Sequence, residues 1–222
     1  MKSQLFGFTK KIYRTIIPNQ YLVELGKELK VCKSVLDLGC GFKSPIINFP
    51  KTFYSVGVDI YPSYVEESKR KKIHDEYFVM DVMKADKKFK PKSFDCVIAL
   101  GVIEHITRKE GFMLLQIMEK IAKKKVIIFT PNGLLPSTHH NEQEGYNHKS
   151  GWVAKDFTKL GYRVYGVNGL KSLKYDHADP DDNTQVRFKP KIFWKLVSDI
   201  SAIFLKNNPD SSFEILCVKD IS

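Results

Sequence analysis

The chain has 222 residues, enough for one domain with a substantial core, and its 43% hydrophobic and 27% charged content is typical of a soluble globular protein. Thirty-six Lys and Arg residues against twenty-five Asp and Glu give a formal net charge of +11, which favours anionic partners such as nucleic acid, nucleotides or an anionic membrane surface. No cysteines form a C-x-x-C pair, no signal peptide is recognisable, and no apolar run reaches the about 20 residues of a membrane span, so we expect a cytoplasmic protein without a transmembrane helix.

Residues 1–30 carry two amphipathic helical patterns, which predict a helical cap at the start of the chain. Five short apolar runs follow, and most are rich in Val and Ile, as buried parallel strands are. These predicted strands cover residues 34–39, 55–60, 76–82, 94–100 and 125–131. Helical patterns lie between them at 63–73 and 109–124. Strands that alternate with helices indicate βαβ units and a parallel sheet.

The last third of the chain has a different pattern. Residues 162–169 and 213–220 are predicted strands, and residues 191–206 between them are predicted to form a helix with a broad apolar face. This order fits an antiparallel edge strand added to a parallel sheet. The helix has Lys at its borders, so we expect it either to cover a ligand pocket or to contact a membrane surface.

The stretch "SVLDLGCGFKSP" ends the first predicted strand in two glycines, Gly39 and Gly41. Glycine allows a tight turn and a close approach of the main chain to a ligand, and Ser44-Pro45 is a start signal for a following helix. The spacing partly matches the dinucleotide fingerprint G-x-G-x-x-G, with Asp59 as the later acid, although Ser44 replaces the third glycine. The residues alone therefore leave a dinucleotide, another nucleotide-like ligand or no ligand open.

The surrounding motifs favour one family. "VLDLGCG" resembles the first motif of the class I S-adenosylmethionine-dependent methyltransferases, "VGVDI" the second, "FVMDV" the third, "FDCVIALGVIEHI" the fourth and "VIIFTPNG" the fifth. The resemblance runs over residues 30–220 in family order. It implies an α/β fold with a Rossmann-like, seven-stranded, mostly parallel sheet, an antiparallel edge strand and helices on both faces. It also implies one domain over 1–222, with a cofactor-binding half at 31–135 and a substrate-side half at 136–222.

The resemblance implies S-adenosylmethionine as the cofactor and assigns its binding residues. They are Asp37, Gly39, Cys40, Gly41, Asp59, Ile60, Asp81, Val82, Leu100 and Gly101. In family terms Asp37 faces the ammonium group of the cofactor, and the glycine turn lines its methionine portion. Asp59 accepts hydrogen bonds from the ribose hydroxyls, and Asp81 accepts one from the adenine amine. Gly101 passes close to the reacting methyl group.

Two histidines are expected near the substrate because they follow predicted strands at their carboxyl ends. His105 follows the fourth strand in "GVIEHI", and His148 lies after the fifth. Histidine is the commonest general base for a hydroxyl nucleophile, so we predict that His105, His148 and the neighbouring Glu104 are catalytic. His139 and His140 lie in the same segment as His148. The remaining pair, His74 and His177, is expected on the surface without a function.

The element "GVIEH" with the downstream "NHKSGW" is also similar to enzymes that hold a divalent metal with two acids and two histidines. These include small-RNA 3′-terminal ribose methyltransferases and quinone-biosynthesis O-methyltransferases. Gly101 stands where their first acid is found, so we expect no bound metal. A three-ligand site of Glu104, His105 and His148 is the alternative.

The function that we predict is methyl transfer from S-adenosylmethionine to a hydroxyl of a small molecule or saccharide. The tail "TPNG…SGW…DF" is similar to methyltransferases of surface-glycan and natural-product biosynthesis. One alternative is an RNA methyltransferase, possible because of the positive charge and the partial metal motif. A second is a nucleotide-binding domain without turnover. We expect Trp152 and Trp194 to pack in the core or anchor a helix, and the oligomeric state is open.

Overall fold

The computed structural model describes residues 18–134, 147–175 and 185–221, and in these ranges seven strands form one sheet in the order β3-β2-β1-β4-β5-β7-β6. The strands are β1 (Ser34–Leu38), β2 (Tyr54–Asp59), β3 (Glu76–Val79), β4 (Phe94–Leu100), β5 (Ala122–Pro131), β6 (Arg163–Leu170) and β7 (Ser212–Asp220). The pairs among β1 to β5 are parallel, whereas β7 runs antiparallel to both β5 and β6. The predicted Rossmann-like sheet is confirmed, and its antiparallel strand lies second from the edge.

Helices cover both faces of this sheet, as predicted. They are α1 (Gln20–Leu29), α2 (Pro62–Arg70), α3 (Ala85–Lys88), α4 (Arg108–Ile121), α5 (Ala154–Thr158) and α6 (Lys191–Leu205). Successive strand residues point to opposite faces, so Val35 packs in the cluster that contains α1, and Leu36 packs in the cluster that contains α4. Both side chains are fully buried, which explains why the predicted strands are continuous apolar runs.

The helix predicted at Ser44-Pro45 is only a 3₁₀ turn over Pro45–Asn48. The start signal works locally, because the Ser44 side chain accepts a hydrogen bond from the Ile46 N–H. The turn stops at Phe49, which has an extended backbone with φ −108° and ψ 149°. Pro50 follows it, and a proline disfavours the helical conformation of the residue before it.

The rest of the predicted helical cap is partly described. α1 is one of the two amphipathic patterns in residues 1–30, and the other lies outside the described residues. Helix α6 confirms the predicted helix at 191–206 and packs against the edge strand β6. Within the three described ranges, no helix is both long and apolar enough to span a membrane.

Candidate active site

A cavity of about 400 Å³ opens at the carboxyl ends of β1, β2 and β4. A volume of this size is within the range of small-molecule sites. Predicted site residues that line it are Gly39, Gly41, Asp59, Ile60, Asp81, Val82, Gly101 and His105. The cavity is also lined by Tyr61, Tyr64, Val102, Ile106 and Lys149, which the sequence analysis did not single out. The fold therefore brings most of the predicted cofactor and catalytic residues to one place.

The glycine turn forms one wall of the cavity and needs its glycines. Gly39 has φ +76° and Gly41 has φ +54°, a backbone region that side chains rarely adopt. A Cβ at Gly39 would lie 2.4 Å from Cγ2 of Val102, whereas a Cβ at Gly41 would meet nothing within 4 Å. The turn thus packs closely against Val102 at its first glycine and faces open space at its second.

Asp59 fixes this turn from the end of β2. Its Oδ2 accepts a hydrogen bond from the Gly41 N–H at 2.8 Å, and its Oδ1 accepts one from the Tyr61 N–H at 3.0 Å. Each carboxylate oxygen keeps acceptor capacity for a ligand hydroxyl after these bonds. Asp59 is only 7% exposed as a residue and lines the cavity, so its carboxylate is both oriented and accessible to a ligand there.

The opposite end of the same wall is formed after β3. The Oδ1 of Asp81 accepts a hydrogen bond from the Met83 N–H at 2.9 Å and caps a 3₁₀ turn over Val82–Lys84. Ile60 is 56% exposed at the cavity, an unusual position for a large apolar side chain. An apolar surface between two carboxylates suits a ligand with a flat ring and several hydroxyl or amino groups.

Three of the predicted cofactor residues do not line the cavity. Asp37 is buried beneath the turn, where it accepts a hydrogen bond from the Ser44 hydroxyl at 2.5 Å and lies 3.0 Å from Nε2 of His74. Cys40 is buried, and burial, with the charges of Asp37 and Asp59 adding to it, raises the pKa of its thiol above the ordinary value. Leu100 is half-buried and packs with the apolar cluster on the α1 face.

The expectation that His74 is a surface residue is wrong, because its side chain is fully buried and is bound to Asp37. The chain makes room for the imidazole with Gly57, where a Cβ would lie 2.8 Å from Nδ1 of His74. A glycine inside a strand often marks a close approach of another group. That glycine, in "SVGVDI", was the available sequence signal for a buried neighbour.

The three predicted catalytic residues come together, and of these His105 lines the cavity whereas Glu104 and His148 do not. Glu104 and His105 lie in a 3₁₀ turn after β4, and the ring centroids of His105 and His148 are 5.1 Å apart. One ligand atom from each of the three residues lies within 4.8 Å of the others. Oε2 of the buried Glu104 accepts a hydrogen bond from the Thr130 hydroxyl at 3.1 Å.

His105 is neutral at pH 7 in this setting. Burial is the main cause that lowers its pKa, the nearby His148 contributes, and the resulting pKa is about 4. A neutral imidazole is the form that accepts a proton from a hydroxyl or coordinates a metal ion. The cluster is therefore able to act in either way.

Gly101 bears on the metal question directly. A Cβ added there would lie 3.7 Å from Oε1 of Glu104, so a side chain at this position would enter the cluster. The present glycine leaves three potential ligands in the part of the chain that the structure describes. Three ligands with open positions are the arrangement of a weak or catalytic metal site rather than of a closed structural one.

The segment that carries His148 is held in place by the core. The backbone oxygen of Glu104 accepts hydrogen bonds from the N–H groups of Lys149 at 2.7 Å and Ser150 at 3.1 Å. Trp152 is fully buried, as expected for a packing role, and its indole N–H donates to the Ser150 hydroxyl at 2.9 Å. The histidines at 139, 140 and 177 lie outside the described residues.

Comparisons with known proteins agree with this geometry. Residues 36–129 match a family model described as a methyltransferase domain. The bacterial CtHen1-CN methyltransferase domain is 21% identical, with 91% of this chain and 98% of that chain covered and a TM-score of 0.57. A SAM-dependent methyltransferase from Archaeoglobus fulgidus is 19% identical, with 90% and 94% covered and a TM-score of 0.55.

A third similar structure is magnesium protoporphyrin IX methyltransferase from Synechocystis PCC 6803 with bound SAM. It is 16% identical, with 91% of this chain and 79% of that chain covered and a TM-score of 0.51. No curated protein gives a significant sequence match. Structural similarity at such low identity establishes the fold, and the family model supplies the link to methyl transfer.

Proposed function

We propose that this chain, a class I S-adenosylmethionine-dependent methyltransferase, methylates a hydroxyl group of a small molecule or saccharide with His105 as the general base. The observation that carries the proposal is the position of His105. It lines the same cavity as the glycine turn and Gly101, and it is neutral at pH 7. A hydroxyl gains from a base that takes its proton as the new bond forms.

The residues around the cavity fit S-adenosylmethionine. The open space at Gly41 leaves room for a ligand against the main chain, and the fixed carboxylate of Asp59 offers two acceptor oxygens for a pair of ribose hydroxyls. Ile60 would pack on the adenine, and Asp81 has a second carboxylate oxygen for its amine. The cofactor supplies an electrophilic methyl group, so the protein has mainly to position the acceptor and manage one proton.

In this proposal, both His105 and His148 lie where the methyl acceptor binds, and His105 is the base. His105 accepts the proton that the acceptor hydroxyl loses, and His148 lies beside it with a ring separation of 5.1 Å. Glu104, held by Thr130, places both because its main-chain oxygen binds the segment that carries His148. Asp37 acts from below the turn, through Ser44, rather than from the cavity wall.

The first test is a thermal shift with S-adenosylhomocysteine, with a nicotinamide dinucleotide as the control ligand. At 100 times Kd, binding should add about 2.7 kcal/mol to the apparent free energy of unfolding. Label transfer from S-adenosylmethionine is then measured on a panel of hydroxylated compounds and saccharides, each paired with its deoxy analogue. Label on the hydroxyl compound and not on the deoxy analogue supports the proposal, whereas transfer only to amines or thiols contradicts it.

One observation favours a second candidate function, metal-assisted methylation of RNA. The ligand atoms of Glu104, His105 and His148 lie within 4.8 Å of one another, and the chain has a net charge of +11. A small RNA methyltransferase named HEN1 is among the similar structures, at 16% identity over 25% of its length. This candidate predicts that Mg²⁺ or Mn²⁺ raises the thermal stability of the wild type but not of Glu104→Gln. It also predicts RNA binding that weakens steeply with salt.

A further inference from the structure

The outward face of α6 is apolar along its whole length. Every exposed residue of this helix is Ile, Leu or Phe, and Ile192 at 85% and Phe204 at 77% are the most exposed. The full set is Ile192, Phe193, Leu196, Ile200, Ile203 and Phe204. A helix on the surface of a globular protein normally turns its charged residues outward, and contiguous exposed apolar patches of this kind mark interaction sites.

The inner face of α6 explains why the large side chains point outward. Ser198 and Ala202 are buried against the sheet, and a Cβ at Gly169 of β6 would lie 2.3 Å from Oγ of Ser198. The helix therefore approaches β6 through small residues on both sides. Turning the helix to bury Phe204 or Ile192 would force large side chains into the space that Ser198 fills opposite Gly169. The outward apolar face is built into the packing.

The chain beside this face is basic and aromatic. Arg187 and Lys189 precede α6 and Lys191 begins it, whereas Lys195 is paired with Asp199 at 2.9 Å. The ring centroid of Trp194 lies 5.2 Å from that of Phe188 and 5.3 Å from that of Phe193. The indole N–H of Trp194 donates a hydrogen bond to the Lys189 carbonyl. A helix with an apolar face, a Trp and bordering lysines is typical of segments that lie in the plane of a membrane interface.

We propose that α6 is a membrane-contact surface that inserts its outward face into the headgroup region of an anionic bilayer. The apolar residues supply the buried area, and the three cations of 187–191 meet the anionic lipid headgroups. Packing of this face on a second copy is less favourable, because a two-fold contact over the start of α6 would bring the two sets of cations together. The proposal does not depend on the methyl acceptor.

Vesicle binding tests the proposal. Full-length protein is floated with vesicles of 30% phosphatidylglycerol in phosphatidylcholine, and with pure phosphatidylcholine vesicles. The variants are Ile192→Ser/Phe204→Ser on α6 and, as a matched control, Val31→Ser, which changes a side chain that is 59% exposed elsewhere. We expect wild type and Val31→Ser to bind the anionic vesicles. The double variant should bind at least tenfold more weakly, and salt should weaken binding of the wild type.

A second pair of measurements keeps the test independent of folding. Lys189→Glu should weaken binding to anionic vesicles several-fold without touching the apolar face. Trp152 is fully buried, so a blue shift of tryptophan fluorescence on vesicle addition should be lost in Trp194→Phe. Equal binding by wild type and the double variant would overturn the proposal, and so would no vesicle binding by the wild type. A wild-type dimer that the double variant abolishes, seen by sedimentation velocity, would assign the face to a second copy instead.

Discussion

The two walls of the cavity position their functional groups in different ways. On the cofactor side, carboxylates are fixed by main-chain N–H groups, as Asp59 is by Gly41 and Tyr61, and Asp81 is by Met83. On the other side, His105 and the exposed Lys149 line the cavity, and the ring of His148 lies next to that of His105. The first wall depends on backbone geometry, and the second depends on side chains that follow strands.

This difference explains what each wall is suited to do. A wall set by glycines and by acids that accept main-chain hydrogen bonds tolerates little change, because each bond fixes the backbone as well as the ligand-binding group. A wall of side chains on connecting segments can change without disturbing the sheet. The first suits a ligand that is shared across a family, and the second suits an acceptor that differs from one enzyme to another.

The largest expected effect separates catalysis from cofactor binding. His105→Ala should lower kcat about 10²- to 10⁴-fold on the acceptor found by screening, and leave the Kd of S-adenosylhomocysteine within about twofold. Asp59→Ala should instead weaken that Kd by about 10- to 100-fold, because it removes charged hydrogen bonds to the ligand and releases Gly41. Initial rates and titration calorimetry measure the two quantities. Parallel loss of both quantities in both variants would contradict the division into two walls.

The next largest effect concerns the buried pair of Asp37 and His74 beneath the glycine turn. His74→Ala should lower the free energy of unfolding by about 3 kcal/mol, because among the described residues it leaves the buried carboxylate of Asp37 with only the Ser44 hydroxyl as partner. Urea unfolding measures it. In the double variant with Asp37→Asn the loss should be smaller than the sum of the single losses, since the two groups are in contact. Additive losses would show that the pair is not coupled.

A glycine pair tests the geometry of the turn itself. Gly39→Ala and Gly41→Ala share the cost of a positive φ, but only Gly39→Ala brings a Cβ within 2.4 Å of Val102. We expect Gly39→Ala to be the less stable of the two by about 1–3 kcal/mol. Denaturant midpoints of the two ligand-free variants give the comparison. Equal midpoints would mean that Val102 moves aside without cost.

Much of the fold was predictable because the strands are buried on both sides. The predicted strand at 94–100 corresponds to Phe94–Leu100, and that at 34–39 to Ser34–Leu38. The predicted helix at 109–124 is α4, Arg108–Ile121, which ends earlier because the chain passes directly into β5 at Ala122. Apolar runs identify elements well, but they do not locate a boundary where a helix and a strand adjoin without a loop.

The predictions that failed depend on contacts between elements that are distant in the sequence. The burial of His74 depends on Gly57 in the neighbouring strand β2. The residues next to His74 in the sequence do not indicate this contact. The periodicity of α6 predicted a broad apolar face, but it did not show that small residues such as Ser198 face the sheet. Glu104, His105 and His148 lie in segments that connect strands. Such segments have little hydrophobic periodicity, so the sequence does not predict how close these side chains come to one another.

The smallest effect is a pH dependence that belongs to the acceptor wall alone. Burial lowers the pKa of His105 in the folded protein to about 4, whereas an unfolded histidine titrates near its ordinary pKa of about 6.5. Below pH 6.5 the unfolded chain therefore binds a proton that the folded protein does not, so acidification through this window destabilises the fold. From pH 8 to pH 5.5 the loss due to this one group is on the order of 1 kcal/mol. His105→Gln stays neutral and should lose correspondingly less stability over the same range.

The difference between the two unfolding curves isolates this group, because the other titrating groups are common to both proteins. Equal acid sensitivity of wild type and variant would show that the fold does not lower the pKa of His105.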